Sequence, residues 1–374
     1  MRYNVIPRTG TRVSELGLGC EHVGPKDAKT VEAVVAAAIE GGVNLLELFM
    51  PQPEIRDKIC AAIGPHRSEL LLMGHIGSCL TDDGQYLRSR DPARCQRFVD
   101  DFLTRYRTDW MDFGMFHYVD TPEDYRGVFD TPVADYALKL REQGKVRFIG
   151  ASSHNAETAL RMVETGLLDV LLFSINPAQD LLPNIENDDY FVSDTYRDLH
   201  ADEVNPERRR LYERCAEKGI GIIVMKALGC GRMLTPDNGL ARPLTPLECI
   251  HYANTRPGVA SVLVGCTTVE QVAEMLSYED AEPGQLQFAD ALEGVVSPNR
   301  GQCMYCNHCL PCPAGIDIGA VTRALDTGDA KALRAFNPGP DACIGCGSCE
   351  SNCPFAVKVR ENMEKASRVL FPRA

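Results

Sequence analysis

Two cysteine runs near the C-terminus carry the most specific chemistry in the chain. The first reads Cys303-x2-Cys306-x2-Cys309-x2-Cys312-Pro313, the second Cys343-x2-Cys346-x2-Cys349-x3-Cys353-Pro354. Together they hold eight of the sixteen cysteines. Four thiolates hold one [4Fe–4S] cluster, so eight predict two clusters. The second run has the bacterial C-x2-C-x2-C-x3-C-P spacing; the first has two residues, not three, before its last cysteine. In two-cluster proteins the fourth cysteine of each run serves the other cluster. That wiring assigns Cys303, Cys306, Cys309 and Cys353 to cluster 1, and Cys343, Cys346, Cys349 and Cys312 to cluster 2. A pair of structural zinc sites is the competing reading, since CxxC pairs build those too. The Cys-Pro ends and the tight repeat favour iron–sulfur. Gly345 and Gly347 leave room for backbone amides beside the sulfurs.

A second set of polar residues stands just past apolar runs. Glu21 and His22 follow the first run, Glu47 ends the second, and His75 and His117 end the third and fourth. Ser152, Ser153 and His154 follow the fifth, Asn176 the sixth, Lys226 the seventh and Cys266 the eighth. Four of the eight histidines fall at such ends. His75 and His117 form a candidate acid–base pair with Glu47 as the orienting carboxylate. Imidazoles with a carboxylate are also a metal-ligand set, and Glu47 with Lys226 also reads as a structural ion pair.

These groups need a scaffold that gathers them. Apolar runs at 15–19, 43–48, 69–73, 110–116, 146–150, 168–173, 219–225 and 260–265 alternate with helical patterns. The helices read as 29–40, 92–106, 132–142, 155–164, 206–217 and 268–276, with Gly41, Gly144 and Gly166 as stop signals. Near-continuous apolar strands alternating with helices mean a parallel sheet under helices. Eight units predict an α/β fold with a closed (β/α)8 TIM barrel, whose C-terminal strand ends host chemistry. A doubly wound open sheet is the alternative, though no Gly-rich dinucleotide fingerprint follows the first run. Residues 2–14 read as a hairpin turning at 7–10. Residues 177–205 read as a lid-like insertion, and 279–300 as a helix and linker. The division is therefore a barrel over 1–296 and a small two-cluster, bacterial-ferredoxin-like domain over 297–374.

Composition narrows the function. A net charge of −13 argues against nucleic acid or an anionic membrane as partner. No apolar run reaches membrane-spanning length, and MRYNVIPRTG has no signal-peptide core. With cysteines in cluster spacing or scattered, a reducing cytoplasm, that of an anaerobe, is expected. Cys60, Cys79, Cys95, Cys215 and Cys249 read as small buried hydrophobes, while Cys20 and Cys230 lie near strand ends.

At this point the chain resembles the aldo-keto reductase superfamily. The segments that carry the resemblance are 13–19 (VSELGLG), 40–44 (EGGVN), 105–112 (RYRTDWMD), 144–154 (GKVRFIGASSH) and 219–226 (GIGIIVMK). The tail CMYCNHCLPCP, with FSINPA and GHIGS, is similar to the ferredoxin-fused branch of predicted iron–sulfur oxidoreductases. The resemblance implies a barrel and a tetrad of Asp, Tyr, Lys and His. Here those positions carry Glu47, Gln52, His75 and His117, so the tetrad is degenerate. Gln52 cannot act as a general acid. The stretch 266–274 contains no Lys or Arg for an NADPH 2′-phosphate, and Glu270 and Glu274 would repel it. Asn176 matches a position that contacts the nicotinamide amide in the family, which keeps NADH or a flavin open.

The sequence therefore predicts a cytoplasmic iron–sulfur oxidoreductase. Electrons pass through two [4Fe–4S] clusters between a ferredoxin-like protein and a small carbonyl- or hydroxyl-bearing substrate. His75, His117, Glu47 and Lys226 are its candidate catalytic set. His22, Gln52, Ser152, His154, Asn176 and Cys266 are its candidate pocket. The alternatives are a metal-dependent lyase, isomerase or hydrolase with structural clusters, an NAD(P)H-dependent aldo-keto reductase with an atypical site, and a non-enzymatic electron-transfer scaffold.

Overall fold

The computed structural model describes residues 1–181, 206–238, 240–292, 301, 303, 309–326, 328–353 and 356–370. Cys306, the expected lid beyond residue 181 and the expected boundary at 296–297 lie outside them.

The chain opens with the expected hairpin, β1 (Tyr3–Ile6) and β2 (Thr11–Ser14). Eight parallel strands then close a barrel: β3 (Leu16–Gly19), β4 (Leu45–Leu48), β5 (Leu71–Ile76), β8 (Met111–Phe116), β9 (Val146–Ser153), β10 (Val170–Ser174), β11 (Gly221–Met225) and β12 (Val259–Val264). Each falls on one of the eight apolar runs. The gap in numbering is an inserted hairpin after β5, with strands β6 (Ser78–Leu80) and β7 (Tyr86–Arg88). The periodicity did not reveal this hairpin, because two three-residue strands leave too little alternation to read.

Helices cover the barrel: α1 (Ala28–Glu40), α2 (Pro53–Ile63), α3 (Pro92–Arg105), α4 (Pro122–Phe129), α5 (Pro132–Glu142), α6 (Ala156–Glu164), α7 (Pro177–Leu181), α8 (Pro206–Lys218), α9 (Pro246–Asn254) and α10 (Val269–Leu276). Several begin the same way. Asp91, Thr121, Thr131 and Thr245 cap amides of their first turns, and a proline follows each cap. The side-chain oxygen takes up an orphan N–H, and proline sits where no amide partner is needed. At Thr121 and Thr245 the residue three further on caps back, completing a capping box.

Apolar strand residues fill both faces of the sheet. Leu45, Met73, Phe113, Leu172 and Ile223 pack inside the barrel with Ile6 and Val13 of the hairpin. The hairpin thus plugs the N-terminal end of the barrel, and the Arg8 amide donates to the Gly219 carbonyl ahead of β11 (2.9 Å). The opposite, C-terminal end is where the polar residues gather.

Residues 277–292 form short 3₁₀ turns rather than the expected helix. Pro283 and Gly284 interrupt α-helical continuation. The described part of the tail is helical, with α11 (Ile318–Asp326), α12 (Ala330–Ala335), α13 (Ser348–Ser351) and α14 (Val359–Leu370). It has its own apolar core of Ile316, Ile318, Val321, Leu333, Val359 and Met363. No helix among the described residues is long and apolar enough to cross a membrane.

Candidate active site

The second, third and fourth barrel strands and the β6–β7 hairpin assemble one chain of polar groups. Glu47 is in β4, His75 in β5, and His117 directly follows β8. Parallel pairing in register sets Glu47 beside Met73 and His75 beside Met115, so the three side chains reach the same end of the barrel. His75 Nδ1 meets His117 Nδ1 at 2.7 Å. His75 Nε2 lies 3.1 Å from Glu47 Oε1, off the line of a hydrogen bond. His117 Nε2 is hydrogen-bonded to the phenol of Tyr86. Glu47 Oε1 also accepts the Phe49 amide (3.1 Å), and the Phe49 ring stacks on His117 with centroids 5.5 Å apart.

These groups are buried: Glu47 is 6% exposed, His75 7% and His117 4%. Burial drives the His117 imidazole well below its usual pKa, and neighbouring His75 adds to that. Burial likewise raises the Tyr86 phenol, against a smaller opposing pull from Arg88 and Arg90. Both groups are therefore neutral near pH 7.

A second group forms around Lys226, which follows β11 in left-handed backbone (φ 60°). Its Nζ is 2.9 Å from His154 Nε2, and His154 Nδ1 is 2.9 Å from Asp120 Oδ2. Asp120 also accepts the His154 amide (2.7 Å) and the Ser153 hydroxyl (3.0 Å). Burial works against the Asp120 charge, but the His154 ring and these bonds hold its carboxyl below the usual range. Burial, then Lys226, lowers the His154 pKa. With Nδ1–H given to Asp120, the neutral ring presents Nε2 as acceptor to the lysine ammonium. Glu47 thus faces His75 and Lys226 faces His154, in place of the Glu47–Lys226 ion pair.

The remaining candidates separate by what already occupies them. Asn176 is fully buried, accepts the Gln179 amide (3.0 Å), and donates to Gln179 Oε1 and to the Lys226 carbonyl (both 2.9 Å). It fixes the left-handed lysine. Ser152 Oγ accepts the Tyr118 amide (2.7 Å) and donates to the Phe116 carbonyl (3.4 Å), which sets the turn that carries His117. Gln52 stands at the N-cap of α2 without capping it, and its Oε1 is buried with no hydrogen-bond partner among the described residues. Burial pushes the Cys266 thiol up to about 12. His22 packs beside Gly265, at the end of β12.

Sequence reasoning missed Tyr86 and Asp120. Tyr86 sits in the unrecognised hairpin, and Asp120 lies three residues beyond the strand-end histidine. Each is a polar residue in a loop after a strand, a signal too common to single out.

In the tail, Cys312, Cys343, Cys346 and Cys349 line one small cavity of about 20 Å³ with Ile316, Ile318 and Met363. Gly345 (φ 69°) and Gly347 (φ 79°) take left-handed backbone between the cysteines, a conformation that side chains resist. Among the described residues no three His, Cys, Asp or Glu side chains converge closely enough for a single metal ion. The tail meets the barrel at its C-terminal end. The Tyr118 hydroxyl donates to the Asn352 carbonyl (3.3 Å), and Cys230, after β11, packs on the tail core with Cys303, Cys309 and Cys353.

The model of the aldo/keto reductase family matches residues 15–248, more than half of the chain. The chain belongs to that family. It is an aldo-keto reductase-like oxidoreductase on an eight-stranded barrel. It is 25% identical over 293 residues to the uncharacterized oxidoreductase YqkF of Bacillus subtilis, covering 75% of this chain and 92% of YqkF. The aldo-keto reductase YhdN of Bacillus subtilis is 26% identical over 42% of this chain and 48% of its own length. Among solved structures, the holo form of the aldo-keto reductase AKR11C1 from Bacillus halodurans superposes with a TM-score of 0.60 at 18% identity. That match covers 79% of this chain and 98% of AKR11C1, and it shows the fold.

Proposed function

We propose that this chain is an iron–sulfur oxidoreductase. Its tail cysteines hold two [4Fe–4S] clusters, and its barrel binds a small substrate bearing a carbonyl or hydroxyl group. The observation that carries the reading is the convergence of Cys312 with Cys343, Cys346 and Cys349 on one apolar cavity. Four thiols drawn from both runs suit one cluster with crossed wiring better than two separate CxxC sites. Each cluster exchanges one electron, so two supply the pair that carbonyl reduction needs.

The barrel residues do the rest. His75 and His117 move protons. Glu47 orients His75, and Lys226, held by His154 and Asn176, binds an electronegative group on the substrate. Because the tail touches the barrel through Tyr118, the residue after His117, the cysteines lie toward the polar end. Ile344, between two cysteine positions and 67% exposed, offers an apolar contact for a ferredoxin-like electron partner. A metal-dependent lyase, isomerase or hydrolase is less well supported, since His75 and His117 belong to one hydrogen-bonded group and His154 to another.

A second reading draws equal support from family membership: a nicotinamide-dependent aldo-keto reductase with an atypical active site. The anaerobically purified protein separates the two. The first reading expects about eight iron per chain and reoxidation of dithionite-reduced protein by 4-nitrobenzaldehyde. NADH or NADPH oxidation at full rate after iron is removed would overturn it in favour of the second.

A further inference from the structure

The family's proton-donating phenol is missing from its usual place, where Gln52 stands. We infer that Tyr86, carried by the β6–β7 hairpin, takes over as the group that exchanges a proton with the substrate oxygen, at the end of a relay through His117 to His75. The inference goes beyond the proposed function and holds whether electrons come from clusters or from a nicotinamide.

The relay follows from atoms that touch. The Tyr86 hydroxyl is bonded to His117 Nε2, and His117 Nδ1 to His75 Nδ1 at 2.7 Å. His75 Nε2 faces Glu47 Oε1 at 3.1 Å. A neutral phenol donates its O–H to His117 Nε2, which makes His117 Nδ1–H the donor to His75 Nδ1. One tautomer of each ring satisfies both bonds. Tyr86 is 8% exposed, and among the described residues His117 Nε2 is the hydrogen-bond partner of its hydroxyl. The phenol oxygen, as donor to His117, therefore retains accepting capacity for a substrate hydroxyl.

The proton step balances without a further reagent. In the oxidative direction the O–H bond of a substrate alcohol breaks, and its proton forms a new bond to the Tyr86 oxygen. The phenol's own proton passes to His117 Nε2, and the Nδ1 proton of His117 passes to His75 Nδ1. The substrate becomes an alkoxide, and the positive charge rests on His75 beside Glu47. Run backwards, the same bonds deliver a proton to the alkoxide that forms when a carbonyl is reduced. The deep burial of His117 opposes charge on that ring. The other groups acting on the phenol are Arg88 and Arg90 of the same hairpin, Glu21 after β3, and Cys79 of β6.

The test uses the full-length protein and its Tyr86→Phe variant, with 4-nitrobenzaldehyde as probe substrate. Tyr86→Phe should lower kcat by about 10²-fold or more and leave KM within about threefold. An unchanged kcat in Tyr86→Phe overturns the inference. Failure of the unmodified protein to reduce the probe would count against the oxidoreductase reading instead, and ¹⁵N-histidine NMR then decides. The shared Nδ1–Nδ1 proton resonance should shift in Tyr86→Phe, and an unmoved resonance overturns the relay.

Discussion

His75 and His117 meet nitrogen to nitrogen, Nδ1 to Nδ1 at 2.7 Å, forty-two residues apart in sequence and on adjacent strands. One proton bridges the two rings in this pose, and each keeps its Nε2 for another partner. Glu47 stands at one such nitrogen and Tyr86 at the other. Two histidines thereby become one conducting unit, which neither could form alone.

That unit makes stability depend on pH. The folded-state pKa of His117 is depressed, as is that of His154. Above about pH 7 both residues are neutral whether folded or unfolded, and nothing is lost. Below about 6.5 the unfolded chain binds protons that the folded chain resists, so stability falls as pH falls. The loss is about 1.4 kcal/mol per pH unit for each such histidine until its folded pKa is reached. Melting temperature measured from pH 7.5 to 5 should drop, and drop less steeply in His117→Asn. Equal slopes would contradict the assignment.

A second prediction concerns Asp180, a fully buried carboxylate beyond β10. It accepts from Arg208 Nε (2.6 Å) and from the hydroxyls of Tyr212 (2.6 Å) and Tyr252 (2.9 Å). The ion pair ties α7 to α8 and α9 across the residues between. Asp180→Asn leaves the buried Arg208 charge unpaired and should cost about 3–5 kcal/mol. Urea unfolding followed by circular dichroism measures it, and a loss below about 1 kcal/mol would mean the pair is dispensable.

The proposed wiring of the tail has its own check. Cys312 lies in the first cysteine run yet shares a cavity with three cysteines of the second. Cys312→Ser should lower iron from about eight to about four per chain, with one of two cluster signals lost from the paramagnetic resonance spectrum of the reduced protein. Unchanged iron content would refute the crossed assignment.

The barrel was legible in the sequence because each strand is buried on both faces and reads as an apolar run. The eight runs map onto eight strands, and the strand ends pointed to Glu47, His75, His117, His154 and Lys226. Run periodicity tells which residues share an end of the barrel, but side-chain pairing within that end is set by strand register and ring orientation. Hence Glu47 faces His75, while Lys226 faces His154. Asn176 and Ser152 read as pocket residues; their hydrogen bonds also hold the backbone that carries Lys226 and His117.

Sequence by itself determined the barrel, the family and the eight-cysteine tail, since these rest on local periodicity and fixed spacing. Only the tertiary structure decided that Tyr86 stands where the polar chain ends, and that Asn352 lies on Tyr118. Both are contacts between segments distant in sequence. A three-residue strand carries too little pattern to announce its neighbour, so its side chain acquires a partner only when the barrel closes beneath it.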